Sequence, residues 1–335
     1  MSSNLQFPCL QVRRSDAGTL STSVVQITLA DLPPGDVVID VEYSSINYKD
    51  ALATQAHPGV VRKLPHVPGI DCAGTVAEST DARFVAGDRV LVTGYELGAP
   101  AWGGYSQMVR VPADWVVALP STLSTKQAMT YGTAGFTAAQ CVMSLEHHGI
   151  GPERGEVVVT GASGGVGSVA IAILAKLGYA VVAVSGKPEQ ADALKALGAA
   201  RVIPRSEVDD KSDTPLLGAR WSGAVDTVGG NTLATLLRST DYRGCVTACG
   251  LVGGVDVPLT VYPFILRGIT LHGIDSAKCP REPRLEVWSK LSGDWNVSDK
   301  LAPFAREVTL SEVPRETSAM LAGQNHGRIL VRPVE

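Results

Sequence analysis

The segment VVVTGASGGVGSVAIAILAKLG, residues 157–178, constrains this chain more than any other. Its opening apolar run reads as a strand buried on both faces, and the apolar stretch after the glycines reads as a helix. Between them Gly161, Gly164 and Gly167 recur at every third position. Glycine there lets a strand turn sharply into a helix, lets backbone approach a pyrophosphate, and lets the helix pack close on the strand. The helix start, through Ser163, Gly164, Gly165 and Val166, then offers unpaired N–H groups to phosphate oxygens. A strand precedes this turn, a helix follows it, and a second strand–helix unit comes next, so a dinucleotide is the expected ligand.

The second strand, YAVVAVS (179–185), indicates which dinucleotide. NAD-binding folds place Asp or Glu at this strand's end, where the carboxylate accepts from the ribose hydroxyls. Here the strand ends in Val184-Ser185-Gly186-Lys187, with Ser185 in the acid's place. A carboxylate would repel a 2′-phosphate, whereas Ser185 and Lys187 can bond to it. Such charge-assisted bonds contribute roughly 1.5–3 kcal/mol each. Arg205, after the third strand, is a further partner for that phosphate. The expected cofactor is NADPH; the bland alternative makes Lys187 a solvated charge at the start of a helix.

Around this motif the periodicity continues. A helix is expected over 124–148, one over 166–177, and one from Pro188 to just before Gly198. Strands are expected at RVI (201–203), GAVDTV (223–228), GCVTACG (244–250) and ITLHGI (269–274). Strands alternating with helices, and apolar throughout, indicate a parallel sheet covered on both sides. Residues before about 128 read differently, as short strands broken by Gly and Pro. DVVIDVEYSS (36–45), GTVAES (74–79), GDRVLVTG (87–94) and WVVALP (115–120) suggest a compact, mostly antiparallel β domain. The tail, GRILVRPVE, is strand-like again and could return to that domain. The expected organisation is therefore an α/β chain in two domains, 1–128 with 274–335, and an inserted doubly wound nucleotide domain, 129–273.

At 335 residues there is chain enough for two cores. A net charge of −4, with no block of Lys or Arg, offers no electrostatic footprint for nucleic acid or a membrane surface. No apolar run reaches spanning length, and MSSNLQFPCLQVRR lacks the order of a signal peptide, so a cytoplasmic location is expected. The six cysteines form no CxxC pair and read as free thiols, with Cys245 and Cys249 on one face of a strand as small buried hydrophobes.

GASGGVG, TAGFTA (133–138), SSINYKDAL (44–52) and VPGIDCAGTV (67–76) together resemble the medium-chain dehydrogenase/reductase superfamily, on its quinone oxidoreductase-like side. The resemblance covers essentially the whole chain and implies a GroES-like catalytic domain beside a Rossmann domain. INYKDALA, GTAGFTAAQCVM, the DTVGG turn and VYPFILRGITLHGIDS are similar, more narrowly, to the acrylyl-coenzyme A reductase subgroup. Zinc-dependent members use a Cys, a His in a Gly-His-Glu step, and a further Cys or Asp. The matching places here read Ser45-Ile46-Asn47-Tyr48 and Gly69-Ile70-Asp71, and isoleucine cannot ligate a metal. The four cysteines of the structural zinc lobe are missing as well. His147-His148 are adjacent on a helix, point about 100° apart, and read as a solvated helix end. No metal is expected.

Without a Lewis acid, alcohol oxidation loses its usual activation, whereas an activated C=C bond needs less help. The resemblance implies hydride addition to the β-carbon of acrylyl-coenzyme A, giving propanoyl-coenzyme A. It places Asn47 and Tyr48 at the floor of the active site. A phenol is protonated at neutral pH, so Tyr48 suits a donor to the thioester oxygen or the α-carbon, or else packs on the cofactor. Lys49 and Asp50 read as a local ion pair. Thr133, Leu251, Ile274, Ser276 and Arg328 are further cofactor contacts implied by the resemblance. Arg62, Lys63 and Arg267 are possible phosphate partners for the coenzyme A, more simply read as solvated charge. Reduction of a quinone or another activated alkene is the alternative activity, a cofactor-binding structural or sensor protein a third reading. The resemblance also implies a homodimer joined at the nucleotide-domain sheet edge.

Overall fold

The computed structural model describes residues 5–334. The chain divides into two compact units: Met1–Thr133 with Ala277–Ser292 and Ala302–Glu335, and Ala134–Ser276 with Gly293–Leu301. In chain order the first unit begins with β1 (Gln6–Arg14), β2 (Leu20–Thr28), β3 (Val37–Ser45), α1 (Tyr48–Thr54), β4 (Asp71–Ser79), β5 (Arg89–Thr93), β6 (Met108–Val111) and β7 (Val117–Ala118). Next, α2 (Thr125–His147) runs past the boundary into the second unit.

The second unit continues with β8 (Val157–Val159), α3 (Gly165–Lys176), β9 (Val181–Val184), α4 (Ala191–Leu197), β10 (Arg201–Ile203), β11 (Trp221–Asp226), α5 (Gly230–Ser239), β12 (Thr240–Ala248), α6 (Tyr262–Arg267) and β13 (Thr270–Gly273). Its six strands lie in the order β10-β9-β8-β11-β12-β13, every neighbouring pair parallel. β8 and β9 are buried along their whole length, and so are eight of the residues of α3 from Gly167 to Leu174. That is why these stretches are apolar without alternation. Val158, Val182, Val184, Leu236 and Val246 meet in one core.

The remaining elements are α7 (Arg281–Ser292), α8 (Ser298–Leu301), β14 (Ala305–Thr309), α9 (Val313–Leu321) and β15 (Arg328–Arg332). In the first unit β1 and β2 pair as a hairpin, while β14-β15-β3-β4-β5-β7 form a larger sheet with β6 also on β3. All its pairs are antiparallel except β14 with β15. The strand-like tail does return: Leu330 stands opposite Ser45.

Three expectations change. The boundaries fall at 133/134 and 276/277, and residues 293–301, expected in the catalytic unit, belong with the nucleotide unit. Trp295, Val297 and Leu301 are buried, α8 packs on α3, and Lys176 Nζ donates to the Asn296 carbonyl at 2.7 Å. WVVALP supplies only a two-residue strand, because a 3-10 turn takes Ala113–Trp115. The helix expected over 124–148 is broken at Gly132, whose φ of 51° and ψ of −156° are not helical.

Candidate functional site

In the second unit the strand β8 ends at a turn held from the neighbouring strand. The Thr160 hydroxyl donates to Asp226 at 2.7 Å and accepts from the Thr227 N–H at 3.0 Å. The Asp226 carboxylate also accepts from Gly229 N–H at 2.7 Å, and burial raises its pKa. Thr160, Asp226 and Thr227 lie in motifs quoted above but were not expected as partners, since only the parallel pairing of β8 with β11 brings them together. Beyond them Gly164 stands before α3, and no side chain caps that helix. Its first N–H groups are thus left for a ligand, over Gly165, Val166 and Gly167. A Cβ on Gly167 would lie 2.4 Å from the Gly161 carbonyl oxygen, so only glycine lets the helix come so near the turn. Ser163 lies buried in the turn. These features fit a pyrophosphate.

At the end of β9 Ser185 is buried, and its hydroxyl accepts from the Lys187 backbone N–H at 3.0 Å. The Arg205 guanidinium lies on the backbone of Gly186, where an added Cβ would meet Nε at 2.5 Å. Desolvation lowers the Lys187 pKa; Glu189 opposes that shift and the like charge of Arg205 adds to it. Two cations thus crowd one corner, as a dianionic phosphate would require. Leu251, 57% exposed, follows β12, and Ile274 and Ser276 follow β13. Because the sheet is parallel, all of these stand at the same carboxyl end as the glycine turn.

The first unit holds a buried polar network at the start of α1. Asp71 is fully buried. Its carboxylate accepts from Ser45 Oγ at 2.5 Å, Asn47 Nδ2 at 2.7 Å and the Thr133 N–H at 3.0 Å, and from the Thr133 hydroxyl. Arg328 Nη2 donates to Ser45 Oγ at 2.8 Å, and its Nε to the Thr130 carbonyl at 2.8 Å. The break in α2 falls at a position that only glycine can fill. A Cβ on Gly132 would lie 2.6 Å from Asp71 Oδ2 and from Ser45 Oγ, and 2.8 Å from Arg328 Nη2.

Several expected site residues take other roles in this network. Asn47 turns its amide nitrogen inward, to Asp71 and, at 3.3 Å, to Asp50. It also forms a capping box with Asp50 at the start of α1, whose carboxylate accepts the Asn47 N–H at 2.8 Å. Its donors are therefore committed to the protein. Arg328, expected against the cofactor, is only 2% exposed and is engaged by Ser45 and Thr130. Asp50 does not pair with Lys49: it is fully buried and takes the N–H groups of Gly69 and Ile70 at 3.0 and 2.9 Å. Burial, and then the charge of Asp71, push its carboxyl up to about 7. Tyr48, the first residue of α1, remains 39% exposed.

Away from these sites Arg267 is no solvated charge, since its guanidinium binds the carbonyls of Arg238 and Thr240. Arg62 and Lys63 are exposed. His148 is half-buried, with Nδ1 2.7 Å from the Ser144 carbonyl, so it is not simply a solvated helix end. Cys249 is half-buried rather than buried. Among the described residues, no three His, Cys, Asp or Glu side chains are grouped to hold a metal ion.

Residues 33–121 match the family described as alcohol dehydrogenase GroES-like domain, and residues 165–291 the family described as zinc-binding dehydrogenase. The chain is 50% identical to the acrylyl-CoA reductase AcuI of Ruegeria pomeroyi over 94% of its own length and 96% of the relative's. It is 49% identical to YhfP of Bacillus subtilis, provisionally named a quinone oxidoreductase, over 97% and 98% of the two chains. A solved structure of that protein has NAD bound and superposes with a TM-score of 0.94. The yhdH oxidoreductase of Salmonella enterica in complex with NADP is 48% identical, with a TM-score of 0.94 over 98% of this chain and 100% of the other.

Proposed function

The chain belongs to the medium-chain dehydrogenase/reductase family, on its quinone oxidoreductase-like side, and from that premise we propose that it reduces the C=C bond of acrylyl-coenzyme A to propanoyl-coenzyme A. It is an NADPH-dependent oxidoreductase. The observation that carries the substrate reading is whole-length kinship with the Ruegeria reductase.

NADPH supplies the hydride. The glycine turn and the uncapped start of α3 bind its pyrophosphate, and Ser185, Lys187 and Arg205 hold its 2′-phosphate. Thr133, Leu251, Ile274 and Ser276 are proposed as further contacts of the cofactor. As hydride reaches the β-carbon, negative charge develops on the thioester oxygen and a proton must reach the α-carbon. Tyr48 is the donor we assign to that task, because its hydroxyl is on an exposed side chain at a helix start. Asn47 serves Tyr48 by fixing the first turn of α1 through Asp71 and Asp50. The reaction proceeds without zinc in this reading: Ile46, Asn47 and Ile70 stand where the family's metal ligands would be sought, and the Asn47 amide is turned to Asp71. The cytoplasm is the proposed location, and no helix among the described residues is long and apolar enough to cross a membrane.

A homodimer belongs to the same proposal. The edge strand β13 leaves Leu271 exposed, and neighbouring α6 leaves Ile265 67% exposed. A second copy pairing along that edge would cover both.

YhfP supports quinone reduction as a second reading, since its identity to this chain is nearly the same. Loss of nicotinamide absorbance with purified protein, NADPH, acrylyl-coenzyme A and EDTA separates the two. Turnover that survives EDTA and fades with NADH is the expected result. Oxidation of NADPH by simple quinones, with none by acrylyl-coenzyme A, would replace the first reading with the second.

A further inference from the structure

At the amino ends of its parallel strands, the second unit carries a cavity of about 630 Å³ lined by Arg154, Tyr242, Arg243, Leu266, Arg267 and Gly268. Arg154 comes just before β8, Tyr242 and Arg243 near the start of β12, and Arg267 and Gly268 just before β13. The glycine turn, Ser185 and Leu251 follow the carboxyl ends of strands in the same sheet, so the cavity is a separate place. Its size is that of a small-molecule site, roughly 300–1,000 Å³.

Three guanidinium groups meet there without an acid to pair them. Arg154 Nη2 donates to the Tyr242 carbonyl at 3.0 Å, and Arg267 is held by the carbonyls of Arg238, Thr240 and Leu217. Among the described residues Arg243 makes no hydrogen bond, and none of the three forms an ion pair. The neighbouring acid, Asp241, turns its Oδ1 to the Tyr242 N–H at 2.7 Å. The whole chain has a net charge of −4, so this positive corner runs against the overall balance. Cations gathered in a concave place attract an anion, and the guanidinium fork matches a phosphate.

The backbone of β12 is bent to build the cavity. β11 pairs Trp221 with Thr240 and then Gly223 with Cys245, so Ser222 alone faces residues 241–244, which bulge out of the ladder. Arg243, within the bulge, has a φ of 56°, in the left-handed region that disfavours a long side chain. Glycine would hold that backbone without strain, and strain of this kind gathers where a side chain has a task. A Cβ on Gly268 would lie 3.9 Å from Arg243 Cγ, so the arginine stem passes over the turn before β13. Tyr242 and Leu266, 63% and 54% exposed, give the cavity an aromatic and an apolar wall.

We infer that this cavity binds an organic phosphate, its phosphate on Arg154, Arg243 and Arg267 and its planar, uncharged body on Tyr242 and Leu266. The inference goes beyond the reductase reading and does not rest on the identity of the acyl substrate.

The test is calorimetric titration of ADP into the full chain saturated with NADP, which closes the cofactor site to the probe. Binding of one ADP per chain is the expected result. Arg243→Gly should weaken ADP about tenfold, the effect of losing one charge-assisted bond, and Arg154→Ala should do the same. Arg243→Gly should also melt no lower than the native chain, because glycine relieves the left-handed backbone. Tyr242→Ala should weaken ADP and leave inorganic pyrophosphate unchanged, since only ADP has a body to lie on the ring. All three variants should keep the native affinity for NADP. The inference is overturned if the NADP-saturated chain takes up no ADP, or if Arg243→Gly and Arg154→Ala bind it as the native chain does. It is equally overturned if Arg243→Gly melts lower and loses NADP along with ADP, because Arg243 would then act only through folding. Failure of acrylyl-coenzyme A as a substrate would leave these binding results untouched.

Discussion

Replacing Gly186 by alanine tests the cofactor corner with little disturbance to anything else. Gly186 does not occupy the left-handed region, so its backbone accepts alanine without strain. The new Cβ would lie 2.5 Å from Arg205 Nε, 2.7 Å from Cζ and 3.0 Å from Cδ. These atoms are the outer part of a flexible, exposed side chain, which moves aside cheaply. The fold should therefore keep its stability while the guanidinium leaves its place. A charge-assisted bond to a phosphate contributes about 1.5–3 kcal/mol, and the exposure of Arg205 argues for the lower end. Gly186→Ala should weaken NADPH binding about tenfold and leave NADH within about twofold. Fluorescence titration with both cofactors measures this directly. Arg205→Ala should give the same loss, and the double variant no further loss, because both changes remove one interaction. Parallel weakening of NADPH and NADH, or additive losses in the double variant, would refute the assignment of Arg205 to the 2′-phosphate.

Two further outcomes are expected. Tyr48→Phe should lower turnover at least about tenfold with a smaller change in NADPH affinity, as removal of a proton donor requires; equal turnover would reduce Tyr48 to packing. Asp50 makes stability depend on pH: its folded carboxyl is raised from 3.8 to about 7, so its contribution is complete below the unfolded value and is lost as pH rises through the folded one. That difference corresponds to a loss of at most about 4 kcal/mol, and urea unfolding between about pH 5 and 8 should show stability declining, with the decline flattened in Asp50→Asn. A native stability that climbs over that interval, or an Asp50→Asn profile parallel to the native one, would sink the assignment.

The nucleotide unit was legible because its signals are local. A strand buried on both faces cannot alternate, and the glycines at 161, 164 and 167 fall at the turn itself. The positions of Ser185, Lys187 and Arg205 just beyond strand ends were legible for a related reason, since strand order fixes where strand ends lie. The network around Asp71 was not. Its members come from positions 26, 62 and 283 residues apart along the chain, and no periodicity links them. Gly132 shows the same limit in reverse. The surrounding sequence continues as a helix, and only the carboxylate, hydroxyl and guanidinium beside that backbone show why no side chain fits at the break. Asn47 was expected at the floor of the active site; it stands at the start of α1, and the direction of its amide depends on buried acids that the sequence does not place beside it. Residues 293–301 cluster with the second unit, and their three buried apolar side chains give too short a pattern to show in advance which unit they join.

The position of β15 governs how this protein can be made. The strand at Arg328–Arg332 lies between β14 and β3, and its first residue supplies the guanidinium that reaches Ser45. On the ribosome, the unit begun first is finished last. The nucleotide unit has all its residues once Leu301 is synthesised, whereas the first unit waits for an interior strand some thirty residues later. During that interval β3 lacks its neighbour there and exposes unpaired backbone. A stop codon ahead of Arg328 would leave the earlier-finished unit whole and the other without an interior strand of its larger sheet.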